Sequence, residues 1–281
     1  MRRNGLTFDV VSGGPSAGQP VVLLHGFPQT AAMWDGVAAG LQQRGYRTLA
    51  PNQRGYSPGA RPRGVRPYRL GEVVADAAAV VEQLAGEPVH VVGHDWGGPV
   101  AWALAASRPE LVRSLTTISG PHLWAYLVST VRSRQALASW YIPVFQIPGL
   151  VERLLDPSTA AGRRRFVRVL VHVGQDPTVA ERDAVLLGRA GLTAGLAWYR
   201  ALPYVGFRRL ARSTVSAPTL LLWGDRDSAV LTPGIEMSRR FATGPCRFEV
   251  LSGLSHWAPN EAPDRLVALI GDHLVATGTA R

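Results

Sequence analysis

Short β-branched apolar runs punctuate the chain. Val21-Val22-Leu23-Leu24, Val89-His90-Val91-Val92 and Thr219-Leu220-Leu221-Leu222 are uninterrupted or nearly so. Continuous apolar character suits strands covered on both faces, as in a parallel sheet. Between these runs the apolar positions recur at helical spacing. From Leu70 to Leu84, the residues Val73, Val74, Ala77, Val80, Val81 and Leu84 fall on one stripe, and Pro99–Ala106 and Ala262–Val275 behave similarly. Strand and helix alternate, which predicts an α/β fold with a mostly parallel, doubly wound sheet. The alternation stops between Pro121 and Arg212, a stretch rich in Arg, Trp, Tyr and Leu with helical rather than strand patterning, and resumes at Pro218. The expected organisation is a core of residues 1–120 and 213–281 with a helical lid inserted at 121–212, and a binding pocket between lid and core.

Composition changes this picture little. The chain of 281 residues is 46% hydrophobic and 18% charged, an ordinary globular balance. Its net charge of +10 comes from 30 basic residues, every one of them Arg. Because Ala and Gly are also abundant, the all-Arg set reads as codon bias rather than as a nucleic-acid footprint. The arginines are spread through core and lid alike, with Arg163-Arg164-Arg165 the one strong run, so no nucleic-acid partner is expected. Without lysine, no side-chain amine can form a Schiff base. The single cysteine, Cys246, excludes a disulfide framework and a Cys-rich zinc site. No signal sequence follows Met1, and no apolar run reaches the roughly 18 residues that span a bilayer. The expectation is a cytoplasmic protein with no membrane partner, no metal and no cofactor. A homodimer is left open.

The chemistry concentrates in Val89-His90-Val91-Val92-Gly93-His94-Asp95-Trp96-Gly97-Gly98, a strand, a tight turn and a helix start. Gly93 and Gly97 flank Asp95 at the spacing of the nucleophile elbow G-x-S-x-G, with Asp in place of Ser. Taken alone, Asp95 could be a helix N-cap. As a nucleophile, a carboxylate is ionised at neutral pH without a base and can displace a leaving group at an sp3 carbon. The ester it forms must then be hydrolysed, which requires a base. Two later strand ends supply the remaining parts in the order nucleophile, acid, His. Trp223-Gly224-Asp225-Arg226-Asp227 carries two carboxylates, and Ser252-Gly253-Leu254-Ser255-His256 carries the imidazole. Asp227 is favoured as the partner of His256, and Asp225 as a turn residue. The oxyanion hole is expected from the N–H groups of Trp96 and of Phe27, in the loop His25-Gly26-Phe27-Pro28. Pro28 locks that loop, and a cis bond before it is allowed. His25, His90, His122 and His172 are read as structural.

These residues resemble the α/β-hydrolase superfamily over nearly the whole chain, and within it the soluble epoxide hydrolases and haloalkane dehalogenases. His25-Gly26-Phe27-Pro28, with Trp34 following, is similar to the epoxide hydrolase H-G-x-P motif, and Gly93 to Gly98 matches the nucleophile motif. The resemblance implies an α/β-hydrolase fold in which Asp95 opens an epoxide to an alkyl ester that His256 and water hydrolyse to a diol. It also implies lid tyrosines as acids. Ala197-Trp198-Tyr199-Arg200 resembles the segment bearing one of them, Tyr199. The second is less regular. Val144 stands before Phe145-Gln146 where many epoxide hydrolases have Tyr, and Tyr141 lies one helical turn earlier. Trp96, Trp140, Phe145 and Trp198 are expected to line the substrate site, and with Trp124 and Leu150 they favour a small hydrophobic substrate alongside water.

Other readings stay open at this stage. A dehalogenase would use Trp96 with a second halide donor, here Trp140 or Trp198, because Phe27 has no polar side chain. Fluoroacetate-type enzymes carry an Arg beside the nucleophile, where this chain has Trp96 and Pro99. Another lid-bearing hydrolase is a further alternative. A non-catalytic binding protein on the same scaffold is disfavoured because all three triad positions are filled.

Overall fold

The protein is described here from a computed structural model, in which residues 1–278 are described. A seven-stranded sheet is built from β1 (Val10–Gly13), β2 (Pro20–Leu24), β3 (Arg47–Pro51), β4 (Val89–His94), β5 (Val112–Ile118), β6 (Thr219–Gly224) and β7 (Cys246–Leu251). Their spatial order is β1-β3-β2-β4-β5-β6-β7, with only β1 antiparallel to its neighbour. Every residue of β2 and β4 is buried, as their apolar runs require at the sheet centre. A small hairpin, Arg2–Arg3 with Leu6–Thr7, precedes the sheet.

Helices α1 (Asp35–Gln43), α2 (Leu70–Val80) and α3 (Gly97–Ser107) follow β2, β3 and β4. Helix α2 bears the predicted stripe, and its end loosens into a π-helical turn over Val81–Ala85 before Gly86, whose φ is 73°. After β5 the chain stays helical until β6. This region holds α4 (Leu123–Arg132), a single turn Gln135–Ala138, α5 (Tyr141–Phe145), α6 (Leu150–Leu154), α7 (Ala160–His172), α8 (Pro177–Arg200) and short turns to Leu210. Helix α8 is kinked at Gly188, whose backbone is not helical. The core resumes with α9 (Thr232–Ser238), packed against α4, and ends with α10 (Pro263–Gly278), packed against α1.

Four sheet strands lay outside the apolar runs, β1, β3, β5 and β7, the last expected only from the strand end before Ser252. In β5 the buried side chains include Ser114, Thr116 and Thr117, which break the apolar continuity that marks its neighbours. Its hydroxyls reside inside the protein because the sheet and its flanking helices surround them, a fact of tertiary packing.

The strand order reverses between β2 and β4. From β2 the chain moves to β3 on one side, and from β4 to β5 on the other. In open α/β sheets, ligands bind outside the carboxyl ends of strands at such a point. Leu24 pairs with Gly93 and His94 with Ile118, so the loops after β2, β4 and β5 emerge side by side.

The helical insertion is fastened to the core by a buried polar cluster. The fully buried Asp183 on α8 accepts hydrogen bonds from Gln29 Nε2 (2.7 Å), Gln175 Nε2 (2.6 Å) and Arg182 Nη2 (2.9 Å). Gln29 follows the Phe27-Pro28 loop and also donates to Asn260 Oδ1 (2.9 Å). The bolt therefore joins the insertion, the Phe27-Pro28 loop and the segment after His256.

Candidate active site

Asp95 stands immediately past β4 with a φ of +49°, in the left-handed region that side chains other than Gly seldom occupy. The turn closes because Gly93 and Gly97 approach one another and the chain of β2 too closely for a Cβ. A methyl on Gly93 would meet the Gly97 carbonyl, and one on Gly97 would meet the Leu24 carbonyl. The glycines of the motif are thus steric requirements of the elbow.

The three residues expected to act together come together. His256 Nδ1 lies 3.0 Å from Asp227 Oδ2, and His256 Nε2 lies 3.7 Å from Asp95 Oδ2. Asp227 Oδ1 accepts the N–H groups of Ala229 (2.8 Å) and Val230 (2.9 Å), which fix the acid. Asp225 instead shapes the adjoining turns, accepting Gly253 N–H (2.8 Å) and the Ser252 hydroxyl (3.0 Å). Phe27 N–H donates to Asp95 Oδ1 at 2.8 Å, and the Trp96 N–H is also directed at this carboxylate. The peptide between Phe27 and Pro28 is cis. Gly26 lets the carboxylate lie flush on the loop, since a Cβ there would overlap it.

Burial and charge set the protonation of the cluster. Burial raises Asp95, opposed by His256 and by the Trp96 and Phe27 N–H groups. Burial also acts upward on Asp227, but the charge and hydrogen bond of His256 leave it below the usual carboxylate range. For His256, burial acts downward, and the charges of Asp227 and Asp95 outweigh it and lift the imidazole to about 9. His94 sits against His256, ring centroids 4.9 Å apart, with its Nε2 2.8 Å from the His256 carbonyl oxygen. Burial and the nearby His256 depress it to about 3, so its ring is neutral.

Above Asp95 lies a narrow cavity lined by Asp95, Trp96, Tyr126, Tyr141, Ile142 and Tyr199 among others. Its free volume is about 40 Å³. Tyr141 and Tyr199 face each other with ring centroids 6.4 Å apart. Burial, together with the Asp95 charge, holds both phenols well above 10, so both remain protonated. Phe145 packs behind them, at 5.0 Å from the Tyr199 ring and 5.7 Å from Phe27. A larger open groove of about 540 Å³ runs between α2, α3 and the 204–213 segment, and it contains no member of the Asp95 cluster.

Three expected lining residues are corrected, Trp140, Trp198 and Phe145, the last of which lies behind the two phenols and not on the cavity wall. Trp140 is 69% exposed and lies on the outer side of the insertion. It precedes α5, and the turn that carries Tyr141 inward carries Trp140 outward. Trp198 is buried but does not border the cavity. Its ring packs on Trp96 and Tyr56, and its indole N–H donates to the Arg54 carbonyl at 2.9 Å. Neither indole can therefore serve as a second halide donor. Trp124 and Leu150 do not line the cavity either.

Three features had no signal of their own in the sequence. Tyr126 lines the cavity from α4, and its hydroxyl lies 2.6 Å from Ser139 Oγ. Ser139 accepts from Gln135 Nε2 (2.8 Å), and Gln135 also binds Ala229 O (2.7 Å) and Leu231 N–H (2.8 Å), in the loop that carries Asp227. Ser119, with φ +47°, borders the cavity and faces Asp227 from the end of β5. A reading of β5 as a strand would have exposed Ser119 as a strand-end residue. His25, His90 and His122 make structural contacts. His25 Nε2 accepts Gln53 N–H (3.0 Å), His90 meets Ser114 (2.8 Å), and His122 stacks on Phe241 at 3.9 Å. His172 is exposed.

Comparison with known proteins agrees with this architecture. A family model described as alpha/beta hydrolase fold matches residues 19–148. AB hydrolase superfamily protein YfhM of Bacillus subtilis is 33% identical, with 96% of this chain and 95% of that protein covered. Epoxide hydrolase A of Mycobacterium tuberculosis is 29% identical over 96% of this chain and 95% of its own. The crystal structure of epoxide hydrolase A from Mycobacterium thermoresistibile superposes with a TM-score of 0.82 at 28% identity, covering 98% of this chain and 97% of that one.

Proposed function

The chain belongs to the α/β-hydrolase superfamily and is an epoxide hydrolase-like hydrolase, and from that premise we propose that it opens epoxides to vicinal diols through a covalent ester of Asp95. The observation that carries the reading is the pairing across one cavity of a carboxylate backed by an Asp–His pair with two protonated phenols. A nucleophile on one side and proton donors on the other match what epoxide opening demands, because the alkoxide leaving group is a strong base.

In the proposed reaction Asp95 Oδ2 attacks the less hindered epoxide carbon. The carbon–oxygen bond breaks and its electron pair stays on oxygen, which takes a proton from Tyr199 or Tyr141. Trp96 forms part of the wall around the substrate, and Phe145 supports the phenols from behind. Esterification removes the negative charge of Asp95, one of the forces that lift His256. The imidazole thereby becomes easier to deprotonate at the stage that needs a base. Oriented by Asp227, His256 takes a proton from water as the water oxygen attacks the ester carbonyl carbon. The oxyanion that forms at the former Oδ1 receives the N–H groups of Phe27 and Trp96. On collapse the bond between the acyl carbon and Oδ2 breaks, His256 gives its proton to the departing diol oxygen, and the remaining carboxyl proton returns to the tyrosinate, so carboxylate, imidazole and phenol are restored and the sum is epoxide plus water giving diol. In this reading residues 121–212 act as the lid over a core of 1–120 and 213–281.

Single turnover in oxygen-18 water tests the route. Label is expected first in Asp95, and label entering the diol directly would overturn the covalent step. His256→Gln is expected to accumulate the ester, seen as a mass increase on the peptide bearing Asp95, because ring opening does not use the base. Normal turnover by that variant would remove His256 from its role.

A further inference from the structure

The outer face of the lid carries an unusual concentration of apolar side chains. Val131 is 86% exposed, Leu137 74% and Trp140 69%, and Ile147 and Leu154 are about half exposed. Leu137, Trp140 and Ile147 fall three and seven residues apart along the short turn Gln135–Ala138, the start of α5 and the residues just after it. Isolated exposed apolar residues are ordinary, but a run of five along one segment, with a Trp among them, marks an interaction surface. The other tryptophans are buried or partly buried, among them Trp34, Trp102, Trp198 and Trp257.

Along this stretch of the chain the charges are of one sign. No Asp or Glu occurs between Glu110 and Glu152. Glu152 is itself buried and paired with Arg200 at 2.7 Å. Arg132, Arg134 and Arg153 are exposed on this segment and take part in no ion pair among the described residues. An apolar stretch with an interfacial Trp and unpaired arginines is complementary to an anionic lipid surface. A second copy of the chain fits poorly, because a two-fold interface would set the same arginines against one another.

We propose that the lid face formed by Val131, Leu137, Trp140, Ile147 and Leu154, flanked by Arg132, Arg134 and Arg153, docks on an anionic lipid bilayer. Among the described residues no helix is long and apolar enough to cross a membrane. The expectation of no membrane partner rested on that criterion, which does not detect a face lying in the interface plane. Docking also places the lipid close to the site. Trp140 points out while its neighbours Tyr141 and Ile142 line the cavity over Asp95, so a single helical turn separates the two. Docking does not depend on the reaction. The substrate class it would favour, an apolar epoxide dissolved in the bilayer, does rest on the reaction proposed above.

Co-sedimentation with vesicles of phosphatidylglycerol and phosphatidylcholine, against phosphatidylcholine alone, tests the docking without reference to activity. Binding is expected to the anionic vesicles and to weaken about tenfold or more at high salt. Brominated lipid is expected to quench tryptophan fluorescence in the wild type, and Trp140→Phe to abolish that quenching while vesicles still bind. Arg134→Glu with Leu137→Glu is expected to lower vesicle binding by about tenfold or more, with circular dichroism and turnover of a water-soluble epoxide reporting that the fold is intact. Failure to bind anionic vesicles at low salt, quenching that survives Trp140→Phe, or a sedimentation-velocity dimer that Leu137→Glu dissociates would each overturn the proposal. Epoxide turnover is read separately, so its loss would count against the reaction and not against docking.

Discussion

Two atoms of one carboxylate do different work at the candidate site. Asp95 Oδ1 is held by Phe27 N–H at 2.8 Å, while Oδ2 faces His256 at 3.7 Å. In the proposed reaction the held oxygen is where charge gathers when the ester is hydrolysed, and the other is the one that attacks. Opposite, burial keeps the hydroxyls of Tyr199 and Tyr141 protonated, so each is always in the donating form. Tyr199→Phe and Tyr141→Phe together are expected to reduce kcat for a styrene-type epoxide by about 10²–10⁴-fold, the usual range for loss of general acid catalysis. Either single variant should lose less, because the remaining phenol shares the cavity. Hydrolysis of a nitrophenyl ester, whose leaving group needs no acid, measured beside it should change little. Equal losses on both substrates would argue that the phenols hold the lid rather than donate protons.

Elements meet at this site because short segments fix one another. Helix α8 approaches the Phe27-Pro28 loop at Gly195, where a Cβ would come within 2.8 Å of the Phe27 ring. Asp183, twelve positions earlier on the same helix by residue number, ties the loop residue Gln29 to Gln175 and Arg182. Replacing a buried, fully bonded carboxylate by Ala leaves its donors unsatisfied. Asp183→Ala is therefore expected to cost about 3 kcal/mol, read from the midpoint of urea unfolding. Activity should fall as well, because the same residue holds the loop that carries Phe27. A stability equal to wild type would show that the bolt is not what fastens the insertion.

Across the whole molecule, buried imidazoles set the response to pH. Burial depresses His25, His90 and His122 to about 4 and His94 to about 3. Below the ordinary value of 6.5 the unfolded chain takes up these protons and the folded one does not. Stability therefore falls as pH drops from about 6.5 towards 4. His256 has the opposite sign. Its raised value of about 9 contributes stability that is complete below 6.5 and is lost as pH rises through 9. Thermal unfolding followed across pH is expected to give a maximum Tm between about 6 and 7, with a decline on both sides. His256→Gln should flatten the alkaline limb and leave the acid limb in place. An alkaline limb unchanged in that variant would mean that His256 does not carry the shift.

Much of this was legible in the residue order because local sterics and local periodicity decided it. The turn around Asp95 needs glycines at 93 and 97 whatever surrounds it, and the stripe of α2 follows from its 3.6-residue period. The apolar runs of β2 and β4 predicted buried strands, and every residue of both is buried. The chain order of Asp95, Asp227 and His256 also followed from strand ends that could be read one by one. The sequence could not decide which side of a short lid turn faces inward. Trp140 and Tyr141 are adjacent and similar in character, and only the packing of α5 on α8 turns one to water and the other to the cavity. Nor could it decide that Trp198 would direct its N–H to Arg54, or that the hydroxyls of β5 would be interior. Those outcomes depend on partners distant in sequence, and such partners exist only once the chain has folded.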